Sequence, residues 1–256
     1  MLHPSAEVTA ADWLGPRLRR FGSAVAGVVP DRFPAYVRIL HPARGPDGRP
    51  VRWAEVAAWS GRTMHRLAQF HAISRPAAAP AGPAPWNDED PPDGNLPAEL
   101  LRILCGVLAE HTGTTESCWF CLWNGYGWLY GSPWAGIMGR REPIAVPPAF
   151  PAEVLDGPRV RLPGRDYLLF AGSLAAAPEL GWADPYGSFV PQSPNLFWPQ
   201  DHAWCVATEI DLFCTLVAGS EALAQALVGE ATRSLRHGGS NRQTPSPLTA
   251  TRSTPR

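Results

Sequence analysis

Apolar and polar positions change rhythm several times along the chain, and each change marks an element. YVRIL (36–40) alternates with the short period of a strand and stops at His41-Pro42. Residues 53–71 then place Trp53, Val56, Ala57, Met64, Leu67 and Ala68 near helical spacing, with Gly61 dividing the run into two pieces. ELLRILCGVLAEH (99–111) carries Leu100, Leu101, Leu104, Val107 and Leu108 as one broad stripe, with Asn95 and Pro97 in cap and first-turn roles. DYLLFAG (166–172), AWCVATEIDL (203–212) and FCTLVAG (213–219) read as strands, and Ser220 caps a last helix, EALAQALVGEA.

CWFCLWNGYGWLY (118–130) is the densest apolar run. Asn124-Gly125 between two β-rich stretches predicts a two-residue hairpin, because a type I′ turn needs positive φ at both central positions. In that register Trp119, Cys121, Trp123, Tyr126, Trp128 and Tyr130 share one face, while Cys118, Phe120, Leu122 and Leu129 share the other. The cysteines of the Cys-x-x-Cys then point apart. They should then not share a zinc ion or a disulfide unless the strand is broken there, and no metal site is expected.

Between these elements, residues 75–97 are proline-rich with an acidic knot (Asp88, Glu89, Asp90, Asp93) and read as a linker or long surface loop. From about 233 onward Ser, Thr, Pro and Arg dominate, which predicts a disordered basic tail. The expected organisation is an N-terminal strand and helical segment (1–74), the linker (75–97), a main α+β domain (98–232) and the tail (233–256). Its fold class is α+β: a mostly antiparallel sheet covered by the 99–111 and 220–231 helices.

With 256 residues, 45% of them hydrophobic, the chain is long and apolar enough to bury a core. All 22 basic residues are arginine; residues 1–232 carry 17 of them against 23 acids, a net of −6. An acidic body argues against a nucleic-acid partner. No apolar run approaches the roughly 20 residues of a membrane helix, so no membrane partner is expected. Arg17, Arg19 and Arg20 before FGSAVAGVVP imitate an export signal, but the apolar stretch is short and holds two glycines. Five sparse cysteines, an odd number, argue against a secreted disulfide framework and for a reducing cytoplasm.

Candidate chemistry is limited. The absence of lysine removes the phosphate loop and the Schiff-base lysine, and no Gly-x-Gly-x-x-Gly follows a strand, so no cofactor is expected. In WPQDHAWCVATEID (198–211) strand alternation puts Cys205, Ala207, Glu209 and Asp211 on one side. Were His202 to join the carboxylates in a cleft, Glu209 would serve as base, Asp211 as orienting acid and His202 as proton shuttle of a hydrolase or metal-assisted enzyme. The other reading is a non-enzymatic cytosolic protein. In it Trp119, Trp123, Tyr126, Trp128 and Trp198 line an aromatic cleft for a protein partner or small ligand.

The stretches FPAYVRILHPARGPDGRPVRWAEVAAWSGRTMH (33–65), CWFCLWNGYGW (118–128) and PNLFWPQDHAWCVATEIDLFCTLVAGS (194–220) together resemble a family of soluble proteins from high-GC bacteria to which no activity is attached. The resemblance spans most of the first 228 residues and implies no ligand, cofactor or catalytic residue. A fainter likeness, of architecture alone, is to small α+β immunity-type partner-binding domains.

Overall fold

Strands that are apolar on successive residues need cover on both faces, and the chain supplies many of them. The computed structural model describes residues 1–18, 27–80, 82–135, 144–184, 186–237 and 250–253. Most of the short apolar stretch after Arg20 lies outside the described residues, as do 238–249 and 254–256 of the expected tail.

A nine-stranded antiparallel sheet organises the molecule. Its strands are β1 (His3–Pro4), β2 (Ala35–Leu40), β3 (Cys118–Trp123), β4 (Val160–Leu162), β5 (Arg165–Gly172), β6 (Leu196–Pro199), β7 (Cys205–Thr208), β8 (Cys214–Gly219) and β9 (Ala250–Ser253). Across the sheet they run β1-β5-β3-β6-β7-β8-β2-β9, with β4 beside the start of β5 on the same edge that β1 pairs farther along. The helices are α1 (Trp53–Ser60), α2 (Phe70–Ile73), α3 (Ala98–Ala109), α4 (Ala152–Leu155) and α5 (Glu221–His237). No helix among the described residues is long and apolar enough to cross a membrane.

Alternation along the strands divides the core. Val37, Phe120, Phe170, Phe197 and Val217 join Leu100 and Leu104 of α3 and Leu223 and Leu227 of α5 in one cluster. Tyr36, Cys121, Leu169, Trp198 and Leu216 join Ala11, Leu14 and Phe33 of the N-terminal segment in a second. A third gathers Trp53 and Val56 of α1 and Phe70 and Ile73 of α2 around Leu40, Trp86 and Cys214. Each large side chain buried in this way contributes roughly 1.5–3 kcal/mol of transfer free energy.

The N-terminal region therefore extends the main sheet: β2 pairs with β8 along all six of its residues, Ala35↔Gly219 to Leu40↔Cys214. The proline-rich stretch is tied to this body. Trp86 and Leu96 are buried, the Asn87 amide donates to the Arg44 carbonyl, and the Gly94 amide donates to the Leu212 carbonyl. Gly94 is needed there, because it has a φ of +57° and a Cβ would lie 2.7 Å from Ile210 Cα. At the other end α5 runs on to His237, and β9 adds to the outer edge of β2.

The predicted hairpin does not form. β3 is a strand, but Asn124-Gly125 leads into a 3-10 turn over Gly127–Tyr130. Both edges of β3 are already occupied: β5 takes one with six residue pairs and β6 takes the other with four. A returning strand would find no backbone groups left to pair. The Trp123 ring lies where a Cβ on Gly125 would fall, so the glycine is required by that ring. Within β3 the alternation itself survives, since Cys118, Phe120 and Leu122 face the α3 side while Trp119, Cys121 and Trp123 face the N-terminal side.

Candidate functional site

Arg38 stands in the middle of β2, whose six residues are all buried. Alternation places it on the same face as Tyr36, beneath the segment that leads into α2. It is only 9% exposed. Its Nη2 donates to the Ala68 carbonyl at 2.7 Å, its Nη1 reaches the Arg66 carbonyl at a long 3.5 Å, and its guanidinium carbon lies 5.3 Å from the Trp53 ring centroid. No carboxylate pairs with it among the described residues. Buried cations are ordinarily paired, so this arrangement stands out from the rest of the interior.

A hollow of about 260 Å³ opens over this guanidinium. Trp53, Phe70, Phe213 and Leu216 supply its apolar walls, while Arg66, Gln69, His71 and Asp211 supply its polar rim. His71 Nδ1 is 3.4 Å from Asp90 Oδ1. The volume lies just below the range of small-molecule sites, which run from roughly 300 to 1,000 Å³.

The polar chain at the far end of β2 holds this wall in place. His41 is fully buried. Its Nδ1 donates to the Pro92 carbonyl at 2.6 Å, which leaves Nε2 to accept from the Thr215 hydroxyl at 2.9 Å, and that oxygen lies 2.8 Å from the Thr208 hydroxyl. The Trp53 indole N–H donates to the His41 carbonyl at 2.7 Å, so this chain positions the ring that Arg38 faces. Burial lowers the His41 pKa to about 4 against the opposing effect of its bond to Pro92.

Asp211 joins the hollow to a second group of charges. Arg165, at the start of β5, donates to Glu209 Oε1 from Nε at 3.2 Å and from Nη2 at 2.8 Å, and Nη2 also reaches Asp211 Oδ2 at 2.8 Å. Its guanidinium carbon sits 5.7 Å from the Trp123 ring centroid. Burial works against the Arg165 charge, but the bonds to Glu209 and the charges of Glu209 and Asp211 outweigh it and raise the pKa. Glu209 is buried whereas the Asp211 side chain is 70% exposed.

The three residues predicted as an acid–base set do not converge. β7 ends at Thr208, so Glu209 and Asp211 lie in the turn to β8, where the Leu212 amide donates to the Glu209 carbonyl. His202 lies beyond the opposite end of β7, with a left-handed φ of 55°, and stacks on Trp13 at 4.4 Å between centroids. Burial and the Arg32 charge lower its pKa, against the opposing pull of Asp201. What gathers the two carboxylates is Arg165, a residue without a motif around it.

The five aromatic residues predicted as one cleft are likewise parted. Trp198 pairs with Trp119 across β6 and β3 but is wholly buried, and its indole N–H has no partner among the described residues. Trp119 donates to Gln200 Oε1 at 2.6 Å. Trp123 meets Tyr126 edge to face, but Tyr126 and Trp128 pack toward the α3 side, where Trp128 stacks on both Tyr126 and Trp182. The Tyr126 hydroxyl donates to the Gly94 carbonyl and accepts from the side-chain amides of Asn195 and Gln192. Burial pushes its pKa up to about 12, against the bond from Asn195.

All five cysteines are free and buried. Burial pushes the thiols of Cys105 and Cys118 up to about 12, and those of Cys121, Cys205 and Cys214 also upward. Burial outweighs the opposing charge of Arg38 beside Cys214 and of Arg32 near Cys205, so none has the setting of a nucleophilic thiolate. No group of three or more potential metal-ligating side chains occurs among the described residues. No family description, curated protein or solved structure matches the chain.

Arg38 is the residue that pattern reading passes over. Its one signal is a charge at the centre of an apolar strand, YVRIL. Nothing in the sequence around Arg165 announces its role.

Proposed function

We propose that this chain is a non-catalytic binding protein whose small ligand, or inserted partner side chain, enters the hollow over Arg38. The carrying observation is a buried guanidinium that opens onto an aromatic-walled space and has no carboxylate partner among the described residues. Enzyme chemistry has little support, because Glu209 and Asp211 are engaged by Arg165, His202 lies beyond the other end of β7, and the thiols are buried and protonated. The odd and sparse set of five cysteines in the sequence supports a reducing compartment and hence a cytosolic setting.

Titration calorimetry with two single-ring probes, benzoate and benzamide, tests the reading. At least one binds with a Kd near or below about 1 mM, and filling the hollow with Gln69→Trp removes that binding while the thermal unfolding temperature is kept. If neither probe binds, or the filled variant binds as before, the hollow is not the site.

A further inference from the structure

We propose that the ligand group recognised in this hollow is a carboxylate carried on a single flat apolar ring, with Arg38 as its counter-charge. The inference deepens the binding reading above and rests on it.

Donor accounting carries the first step. A guanidinium has five N–H donors. Arg38 gives one to Ala68 and a long one to Arg66, and a further contact goes to the Cys214 thiol. Two donors have no protein acceptor among the described residues. Backbone carbonyls and the Trp53 face stabilise the cation without neutralising it, so one negative charge is missing from a nearly buried site. Elsewhere the chain treats a part-buried arginine differently, since Arg165 has carboxylate oxygens on Nε and Nη2.

The rim limits the charge to one unit. Of the titratable groups lining the hollow, Arg38 and Arg66 are cationic, His71 is held beside Asp90, and Asp211 is bound through Oδ2 by Arg165. The Asp211 side chain near the mouth shares Arg165 with Glu209 and disfavours a dianion such as phosphate, whereas a planar carboxylate matches the guanidinium fork. Walls from Trp53, Phe70 and Phe213 suit the face and edges of one ring, and a space of about 260 Å³ leaves little for a larger body.

The test compares probes of nearly the same size and shape, one with a carboxylate and the other with a neutral amide. Benzoate binds the wild-type chain about tenfold or more tighter than benzamide, as a charge-assisted hydrogen bond in a buried site requires. Arg38→Gln brings the two affinities within about twofold, and inorganic phosphate fails to displace benzoate. Equal affinity of benzoate and benzamide for the wild type overturns the carboxylate inference while leaving the hollow as a binding site. Absence of binding by either probe sinks the binding reading itself. A benzoate preference that survives Arg38→Gln overturns the assignment to Arg38, and displacement by phosphate overturns the choice of carboxylate. Should Arg38→Gln not fold, the wild-type ratio of the two affinities still decides.

Discussion

Lowering the pH from 7 to 4.5 should destabilise this protein through one buried imidazole. His41 is neutral in the folded state with a pKa of about 4, while the unfolded chain returns it to 6.5. Between those values the unfolded state binds a proton that the folded state does not, so stability is fully present above about pH 6.5 and falls as the pH drops toward 4. Linkage over that shift gives a loss of roughly 2–3 kcal/mol by pH 4.5, about half of it already gone at pH 5.5. The geometry explains why the folded site refuses the proton. A second proton would put a full charge on a wholly buried ring, and since Nδ1–H is committed to Pro92, the Thr215 hydroxyl would have to turn from donor to acceptor toward Nε2 and reverse its bond with Thr208. Carboxylates also titrate in this window, and a matched variant removes their share. Urea unfolding of wild type and His41→Gln is followed at half-unit pH steps, and the stability difference between them narrows toward acid by that amount. A constant difference across the range, or an imidazole titrating near 6.5 by NMR in the native protein, would refute the reasoning.

Arg165→Met leaves Glu209 buried without its cation and lowers the urea unfolding free energy by roughly 3 kcal/mol. Asp211→Asn costs under about 1 kcal/mol because that carboxylate is mostly in water. Asn195 accepts from the Trp123 amide and donates to the Tyr126 hydroxyl and the Thr208 carbonyl, so Asn195→Leu strands the Trp123 amide and the Thr208 carbonyl, removes one of the bonds to Tyr126, and costs about 2–4 kcal/mol, read by thermal unfolding. A disulfide-exchange reagent at pH 8 labels none of the five thiols in the folded protein within minutes and all five after denaturation; rapid native labelling would show an accessible thiolate. Deleting residues 238–256 uncovers the outer edge of β2, and amide exchange at Tyr36–Ile39 then speeds up relative to the full chain.

Hydropathy rhythm by itself determined the elements that rest on local burial. The stripe on α3, the apolar runs of β2, β5 and β8 and the start of α5 after Ser220 all lie where periodicity places them, because burying those side chains leaves few alternatives. Alternation also sorted Cys118 and Cys121 to opposite sides of β3, a property of any strand. Pairing was a different matter. Asn124-Gly125 is a strong turn signal over a few residues, but β5 and β6 together offer β3 ten cross-strand pairs from distant parts of the chain, and those long-range edges decided the outcome. The same tertiary choice buried Trp198, drew Tyr126 and Trp128 away from Trp119, and ended β7 at Thr208 so that Arg165, 44 residues before Glu209, could clamp the carboxylates. A charge such as Arg38 becomes a candidate site only when three-dimensional packing covers it and withholds its counter-ion. Which backbone edges and which charges meet is a question of distance in space, and local rhythm carries no measure of it.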